Sequence, residues 1–536
     1  MEGSLKIVGE YGNFQNHIKI IIFSCAFLTD IYLLQIALML KSPKINIIEK
    51  GNFKDSDNQT LLSMYLLPNL TNIDNQYCDK NKYIIQIDNS SSLKNWNYNY
   101  NFFCENEWYI ITIIISLFIG IIFGLLFFST LPDRIGREKI FKYSIIFSCF
   151  LHLNLLFCRN NFHLILINFF GGLNSFIYPL SLVCITEYLP QDSNGINIGI
   201  FNFSNTIYAI ILYIFLQFFN NWKIIFFFTS IAHIFMASYT WKNFLESPRW
   251  LFSIGQKIKC LSVLDKISLY NGTLSKWNEY QRLNIENANR FGRASTNFTK
   301  LFNFVLDSGE LEQENKGITT YEIFNFKSQT KKIIILAIIC FISNFNLSGI
   351  SFILFSNCKD YINTLILIYI SKIIIGMITG YLCDNIGRKP FAIFGGSIGS
   401  IIYFIYTENN YKLFLIISLF CFQALNLSLL IYIPENIPTP IRSTLCGWLF
   451  LMNKITPIII ILFHKNTNNN IFNYSIIILG FMGGFCTLYM KETLGIDIPD
   501  IIPELKDKIE NLENINLKSF NSSEYPSFLE EYKDYH

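Results

Sequence analysis

The sequence predicts an all-α membrane protein in which twelve transmembrane helices form two pseudo-symmetric six-helix bundles. Three observations predict it. Of the 536 residues, 51% are hydrophobic and only 15% are charged, against about 25% charged in a soluble domain. Twelve apolar runs approach or exceed the ~20 helical residues that span a ~30 Å bilayer core. Landmark motifs recur once in each half of the chain at a nearly fixed offset.

The charge balance excludes several classes of function. Net charge is +3, from 42 basic and 39 acidic residues, and mean hydropathy is +0.34. So few charges cannot cover the surface of a water-soluble enzyme this long, and no polybasic tract points to nucleic acid. The sequence has no nucleotide-binding loop, no CxxC pair and no Cys/His cluster with zinc spacing. No enzymatic activity, cofactor, metal or nucleic-acid partner is expected; the expected partners are the lipid bilayer and a small solute.

The elements follow in order. Residues 1–17 are an N-terminal segment, and span one covers 18–40, too long for a signal-peptide core and without a small-x-small cleavage site. Residues 41–107 are polar and carry three sequons, at Asn58, Asn69 and Asn89, which mark an extracellular, glycosylated loop. Cys78 and Cys104 share that loop and are a candidate disulfide or else two free thiols, since spacing does not fix their geometry. Other cysteines, such as Cys25, Cys184 and Cys340, lie in apolar runs and act as small hydrophobes. Spans two to six occupy 109–130, 140–158, 162–187, 196–219 and 223–244, completing a bundle over 18–244. Residues 245–331 are a mixed-charge linker long enough for short helices. Spans seven to twelve occupy 332–355, 362–382, 391–407, 412–433, 444–463 and 471–490, and residues 491–536 are a polar tail.

Arg134, Arg137, Lys139, Arg388, Lys389 and Arg442 fall on the same side as the linker, while Arg159, Lys223, Lys359, Lys412 and Lys465 fall opposite. This modest excess, together with the sequons, places both termini and the linker in the cytoplasm of a plasma-membrane protein.

The repeat has three landmarks. Asp133 in LPDRIGREK pairs with Asp384 in GYLCDNIGRKP, Glu187 in ITEYLP with Glu435 in IPENIPTPIR, and Glu246 in LESPRWL with Glu492 in KETLG. Their offsets are 251, 248 and 246 residues, the mark of a duplicated six-helix unit.

These residues resemble the major facilitator superfamily, and in detail its organic cation, anion and zwitterion transporter branch (solute carrier 22-like). LKIVGEYGNFQ at 5–15, WNYNYNFFCENEW at 96–108, ESPRWL at 246–251 and PENIPTPIRSTLCG at 434–447 resemble signatures of that branch. The resemblance implies the major facilitator fold and alternating access. It assigns Asp133 and Asp384 to helix N-termini on the inner face, where a carboxylate is stabilised by the helix dipole. It pairs Arg137 with Glu187 and Arg388 with Glu435, puts Arg442 in the second cluster, and gives Glu246 and Glu492 gating roles. The first half departs from the pattern: Ser129 stands where Gly is expected, Asn168 where span four carries Arg, and Asn194 mirrors Arg442 without its charge. The N-terminal cluster is therefore expected to be the thinner one.

Ionisable residues within a span are functional-site candidates by default. Asp30, Lys372 and Lys454 are the three, in spans one, eight and eleven. By the resemblance, Lys454, twelve residues after Arg442, stands where cation carriers place an acid and anion carriers a base. Counting back from Pro457 instead puts Phe450 at that site. Tyr178, nine residues before Glu187, falls near a family aromatic in span four. Lys454 and Lys372 favour an organic anion over a cation, and a zwitterion would satisfy Asp30 and the lysines together. A coupling ion or exchanged solute is a further partner. The alternatives are a neutral-solute or sugar facilitator, whose Gln-rich signatures in spans five and seven are absent, Gln217 being isolated and span seven offering Asn344 and Asn346 instead, and a non-transporting sensor on the same scaffold. A membrane-embedded acyltransferase would need an acid beside His152 or His233, and the sequence supplies none nearby.

Overall fold

The computed structural model describes residues 2–29, 39, 45–49, 83–87, 94–100, 108–219, 221–291, 327–357, 361–466 and 469–500. The apolar runs form helices because a backbone in lipid has no water to bond and must satisfy its own polar groups. Span one begins as Asn13–Thr29. Span two is Trp108–Phe127, extended by Phe128–Thr130 and Leu131–Ile135. Span three is Arg137–Leu156, and span four runs from Asn161–Leu173 through Asn174–Phe176 to Ile177–Tyr188. Spans five and six are Asn194–Phe219 and Trp222–Asn243. Spans seven to twelve are Lys327–Asn357, Tyr361–Ile386, Arg388–Asn409, Lys412–Asn436, Arg442–Asn466 and Asn469–Thr487. Ten spans pass the length and apolarity needed to cross a membrane among the described residues; spans one and five complete the twelve. A two-stranded antiparallel ribbon, Ile45–Glu49 with Tyr83–Ile87, lies between spans one and two.

Several helices run past the limits that hydropathy sets. Span eight continues to Ile386 and span eleven begins at Arg442, because their ends are held by charged hydrogen bonds rather than by apolar burial. The halves repeat their packing: span three lies on six as nine lies on twelve, one on five as seven on eleven, and two on four as eight on ten. One apolar core lies largely within each half. The phenylalanine richness covers the lipid face, with Phe150, Phe218, Phe235 and Phe485 all more than half exposed.

The halves meet along two seams, span five on eight and span eleven on two. Both need glycine. A Cβ on Gly195 would lie 2.4 Å from Gly380 O, and a Cβ on Gly447 would lie 2.3 Å from Ser129 Cβ. Ser129, the first-half departure, thus fits because its partner across the seam has no side chain. The N-terminal segment is clamped by the linker helices Lys257–Asn271 and Leu274–Phe291. Asn271 accepts a bond from Phe14 N at 2.9 Å and donates to Val8 O, Gly9 O and Gln15 Oε1 at 3.0–3.2 Å.

Gly380→Val overfills the tighter seam. It should destabilise the folded protein by about 1–3 kcal/mol, read as a lowered Tm in detergent, whereas Gly3→Ala, with nothing near its Cβ and ordinary helical backbone, should cost less.

Candidate functional site

The D-x-x-G-R turns set the geometry of one end of the molecule. Gly136 and Gly387 adopt φ +118° and +120°, and a Cβ on either would strike the carboxylate of Glu246 or Glu492, at 2.3 and 2.6 Å. Those carboxylates cap the helices that follow. Glu246 Oε1 accepts from Arg137 N at 2.8 Å and Glu138 N at 3.3 Å; Glu492 accepts from Arg388 N and Lys389 N, both at 3.0 Å. Anions at helix N-termini meet unsatisfied N–H groups and the positive end of the dipole.

The aspartates reach across to the opposite half. Asp133 accepts from Ser443 N at 3.3 Å, Thr444 N at 2.8 Å and Thr444 Oγ1 at 2.7 Å, at the start of span eleven. Asp384 accepts from Gly195 N and Ile196 N at 2.8 and 2.9 Å, at the start of span five. Arg137 bridges Asp133 at 2.9 Å and Glu187 at 3.3 Å; Arg388 bridges Asp384 at 3.4 Å and Glu435 at 2.9 Å. Both guanidiniums are fully buried.

Arg442 differs from its expected place. Its Nη1 donates to Glu187 Oε1 at 3.0 Å, in the first-half cluster and not the second. Asn194, its counterpart, donates to Glu435 at 3.2 Å, and Thr493 Oγ1 adds a 2.6 Å bond. Arg442 and Asn194 each serve the opposite half, so the charge that Asn194 lacks is missing from the Glu435 cluster. The C-terminal cluster, not the N-terminal one, is therefore the thinner. Asn168, the other first-half departure, is buried and donates to Leu164 O at 2.8 Å within its own helix.

Residues not singled out from sequence complete this end. After span twelve the chain folds back over the seam between the halves. Pro499 O accepts from Thr439 N at 3.1 Å and Arg442 Nη2 at 3.3 Å, and Asp500 meets buried Arg249 at 3.3 Å. Arg249 lies inside ESPRWL, where Glu246 alone had drawn attention. Trp250 of the same motif donates to Asp133 O at 3.1 Å and lies under the Arg137 guanidinium at 5.4 Å.

At mid-membrane Lys454 Nζ lies 6.0 Å from the Tyr178 ring centroid. Tyr178 also packs on Phe201 at 5.0 Å and Phe450 at 5.2 Å. Lys454 and Phe450, the two alternatives for one position, thus share one aromatic partner. Lys372 lies instead over Tyr369 of its own helix, at 6.0 Å. Three amides converge near Lys454: Asn426 donates to Asn344 at 2.9 Å, and Asn344 donates to Asn453. His152 and His233 stack at 4.2 Å, each bonded through Nδ1 to a carbonyl of its own helix. Asp30, Asn58, Asn69, Asn89, Cys78 and Cys104 lie outside the described residues.

The twelve-span fold, its internal repeat and the charge-bonded seam define a multi-pass membrane transporter. The family model described as Major Facilitator Superfamily matches residues 105–460, and the chain belongs to that family, whose members are transporters and not enzymes. A Xenopus laevis protein named solute carrier family 22 member 15-like is 28% identical over 179 residues, 31% of this chain and 35% of that protein. An Arabidopsis thaliana protein named organic cation/carnitine transporter 2 is 27% identical over 158 residues, 28% of this chain and 30% of that protein. The chain thus matches about a third of the length of these curated relatives. The solved proton:xylose symporter XylE, bound to 6-bromo-6-deoxy-D-glucose, shares the fold with a TM-score of 0.55 at 14% identity. The match covers 92% of this chain and 97% of that one.

Two measurements follow from the charge geometry. Burial pushes the Glu246 carboxyl up to about 7 despite its backbone donors and Arg137. Burial also opposes the charge on Glu492, but the N–H groups of Arg388, Lys389, Leu494 and Thr493 outweigh it and hold Glu492 below the ordinary value. A raised carboxyl binds its proton more tightly folded than unfolded, so its contribution is complete below about 4.5 and is lost as pH rises through about 7. Relative to Glu246→Gln, wild-type Tm should therefore climb as pH falls from 7.5 to 5. Second, Arg442→Asn gives Glu187 the same neutral partner that Glu435 has. Maleimide footprinting of detergent-purified protein should then show Cys446, buried on span eleven, alkylated about tenfold faster or more, with Cys383 on span eight unchanged.

Proposed function

We propose that the protein carries small organic anions across the plasma membrane by alternating access, as a secondary transporter or facilitator. The single observation that supports this most directly is Lys454, a mid-membrane ammonium set against Tyr178 where the two halves meet. A bound cation about 6 Å from it would be repelled by ~3 kcal/mol at an effective dielectric of ~20, whereas an anion would be attracted by the same amount. Tyr178, Phe201 and Phe450 offer a wall for the apolar part of such a solute.

In this proposal the charged seam closes the cytoplasmic face. Asp133, Arg137, Glu187 and Glu246, with Asp384, Arg388, Glu435, Arg442 and Glu492, are the groups that separate when it opens. Both termini lie in the cytoplasm and the 41–107 loop lies outside. Lys372 and Asp30 contribute to substrate charge recognition or to coupling with an ion or exchanged solute. The names of the two curated relatives favour the organic-ion branch. A neutral, hydroxyl-rich solute is the second reading, left open by the sugar bound to the structural neighbour XylE.

The test is uptake of a labelled organic anion and a labelled organic cation into proteoliposomes. Wild type should take up the anion, and Lys454→Asp should lose that uptake at least about tenfold or turn toward the cation. Cation uptake by wild type that persists unchanged in the variant would discard this role for Lys454. A labelled hexose taken up equally by both proteins would favour the neutral solute.

A further inference from the structure

The amide cluster beside Lys454 has a direction, and the direction is fixed by chemistry. Asn344 lies in span seven, Asn426 in span ten and Asn453 in span eleven. One end of the Asn344 amide faces the backbone carbonyl of Cys340 at 2.9 Å. A carbonyl oxygen only accepts, so the atom facing it is the NH2 group. That nitrogen also faces Asn453 Oδ1, so both of its protons are spent. The Asn344 oxygen must then accept, and Asn426 Nδ2 donates to it at 2.9 Å. The bonds therefore run one way, Asn426 to Asn344 to Asn453, anchored by a helix carbonyl that cannot reverse.

The downstream end is a donor. With Asn453 Oδ1 engaged, its Nδ2 has two N–H groups to offer, and no described residue accepts them. Asn453 is partly buried, and a primary amide at mid-span is expensive against hydrocarbon, which favours water or a polar solute on its open side. Lys454 is the next residue on the same helix, about 100° further round, and its flexible stem lets the ammonium swing toward the same group.

We infer that Asn453 Nδ2 and Lys454 Nζ together hold the oxyanion of the substrate, with Asn344 and Asn426 as positioning residues that keep the Asn453 amide turned donor-outward. Head-to-tail amides also polarise one another, which strengthens the terminal donor. The cluster would therefore select carboxylates and sulfonates over neutral solutes and cations. It would not serve a sugar equally well, because a hydroxyl needs an acceptor as often as a donor and this end supplies donors. The inference rests on the anion carrier proposed above.

The experiment is initial-rate uptake into proteoliposomes of radiolabelled benzenesulfonate, succinate and benzyltrimethylammonium, with full-length wild type, Asn453→Leu, Asn453→Ser and Asn344→Leu. For an oxyanion that wild type carries, Asn453→Leu should raise KM about tenfold, the loss of one bond to a charged acceptor, with the maximal rate retained. Asn453→Ser keeps a hydroxyl donor and should recover part of that loss. Asn344→Leu leaves Asn453 in place but frees its amide to turn oxygen-outward, and should raise KM by about threefold through this loss of orientation. A purely structural role would instead lower the maximal rate and Tm together, without regard to substrate charge. Wild-type uptake of neither oxyanion would overturn the anion carrier, and this inference with it. Wild-type uptake of an oxyanion with KM unchanged in well-folded Asn453→Leu and Asn453→Ser would overturn the relay alone.

Discussion

The structure depends on a charge that cannot be left alone. Glu187 is fully buried, and an unpaired carboxylate there would cost several kcal/mol. Two guanidiniums resolve this, Arg137 from its own half and Arg442 from the other. The second bond makes the solvation of Glu187 a property of the relation between the halves. Asp133 works the same way, with its charge met by Arg137 and by the first N–H groups of span eleven. In the proposed carrier, opening this end would trade those bonds for water, which solvates the same groups well. That near balance is what a two-state carrier requires, since its conformers must lie within a few kcal/mol of each other.

The two seams are built differently despite their common origin. Span five crosses span eight by close backbone approach through Gly195 and Gly380 and by the Asp384 bonds to its first N–H groups, and it meets span ten through the Asn194–Glu435 bond. Span eleven meets span two through Gly447 against Ser129 and through Asp133 at its first N–H groups, and it meets span four through the Arg442–Glu187 ion pair, with the segment after span twelve tying Thr439 and Arg442 to Arg249 through Pro499 and Asp500. In the proposed carrier, the Arg442–Glu187 ion pair would be exchanged for hydration on opening, whereas the Asn194–Glu435 contact carries a charge on one side only. Pseudo-symmetry of sequence has given way to a division of labour, and Asn194 is the residue at which the two diverge.

Much of this was legible because the physics is local. A run of about twenty apolar residues has few fates, and Gly136 and Gly387 mark turns that only glycine can make against Glu246 and Glu492. The partnership of Arg442 was less legible. Offset arithmetic shows that Asn194 corresponds to Arg442, but not that both residues reach across the pseudo-symmetry axis, and that crossing decides which carboxylate lacks a charge. Arg249 and Asp500 were missed because they are some 250 residues apart in sequence and neither lies in an apolar run. Asn426 and Asn453 were hidden by an Asn-rich composition; only their convergence on Asn344 separates them from the rest.

Span four and span eleven are joined at two depths. Near the D-x-x-G-R turns the link is Glu187 to Arg442; at mid-membrane it is Tyr178 to Lys454 and Phe450. Along span eleven the two links are twelve residues apart, about 18 Å at 1.5 Å per residue. A solute entering between Lys454 and Tyr178 in the proposed carrier would thus load the same helix pair that the Arg442–Glu187 bond holds closed. Coupling between site and gate then needs no chain of intermediaries, because helices are stiff over this distance and share both contacts. In that carrier, ion-pair rupture at one depth and solute binding at the other would be two readings of a single separation. In the proposed carrier, the solute that best substitutes for Tyr178 as the neighbour of Lys454 would be the one whose binding loosens the Arg442–Glu187 pair most readily.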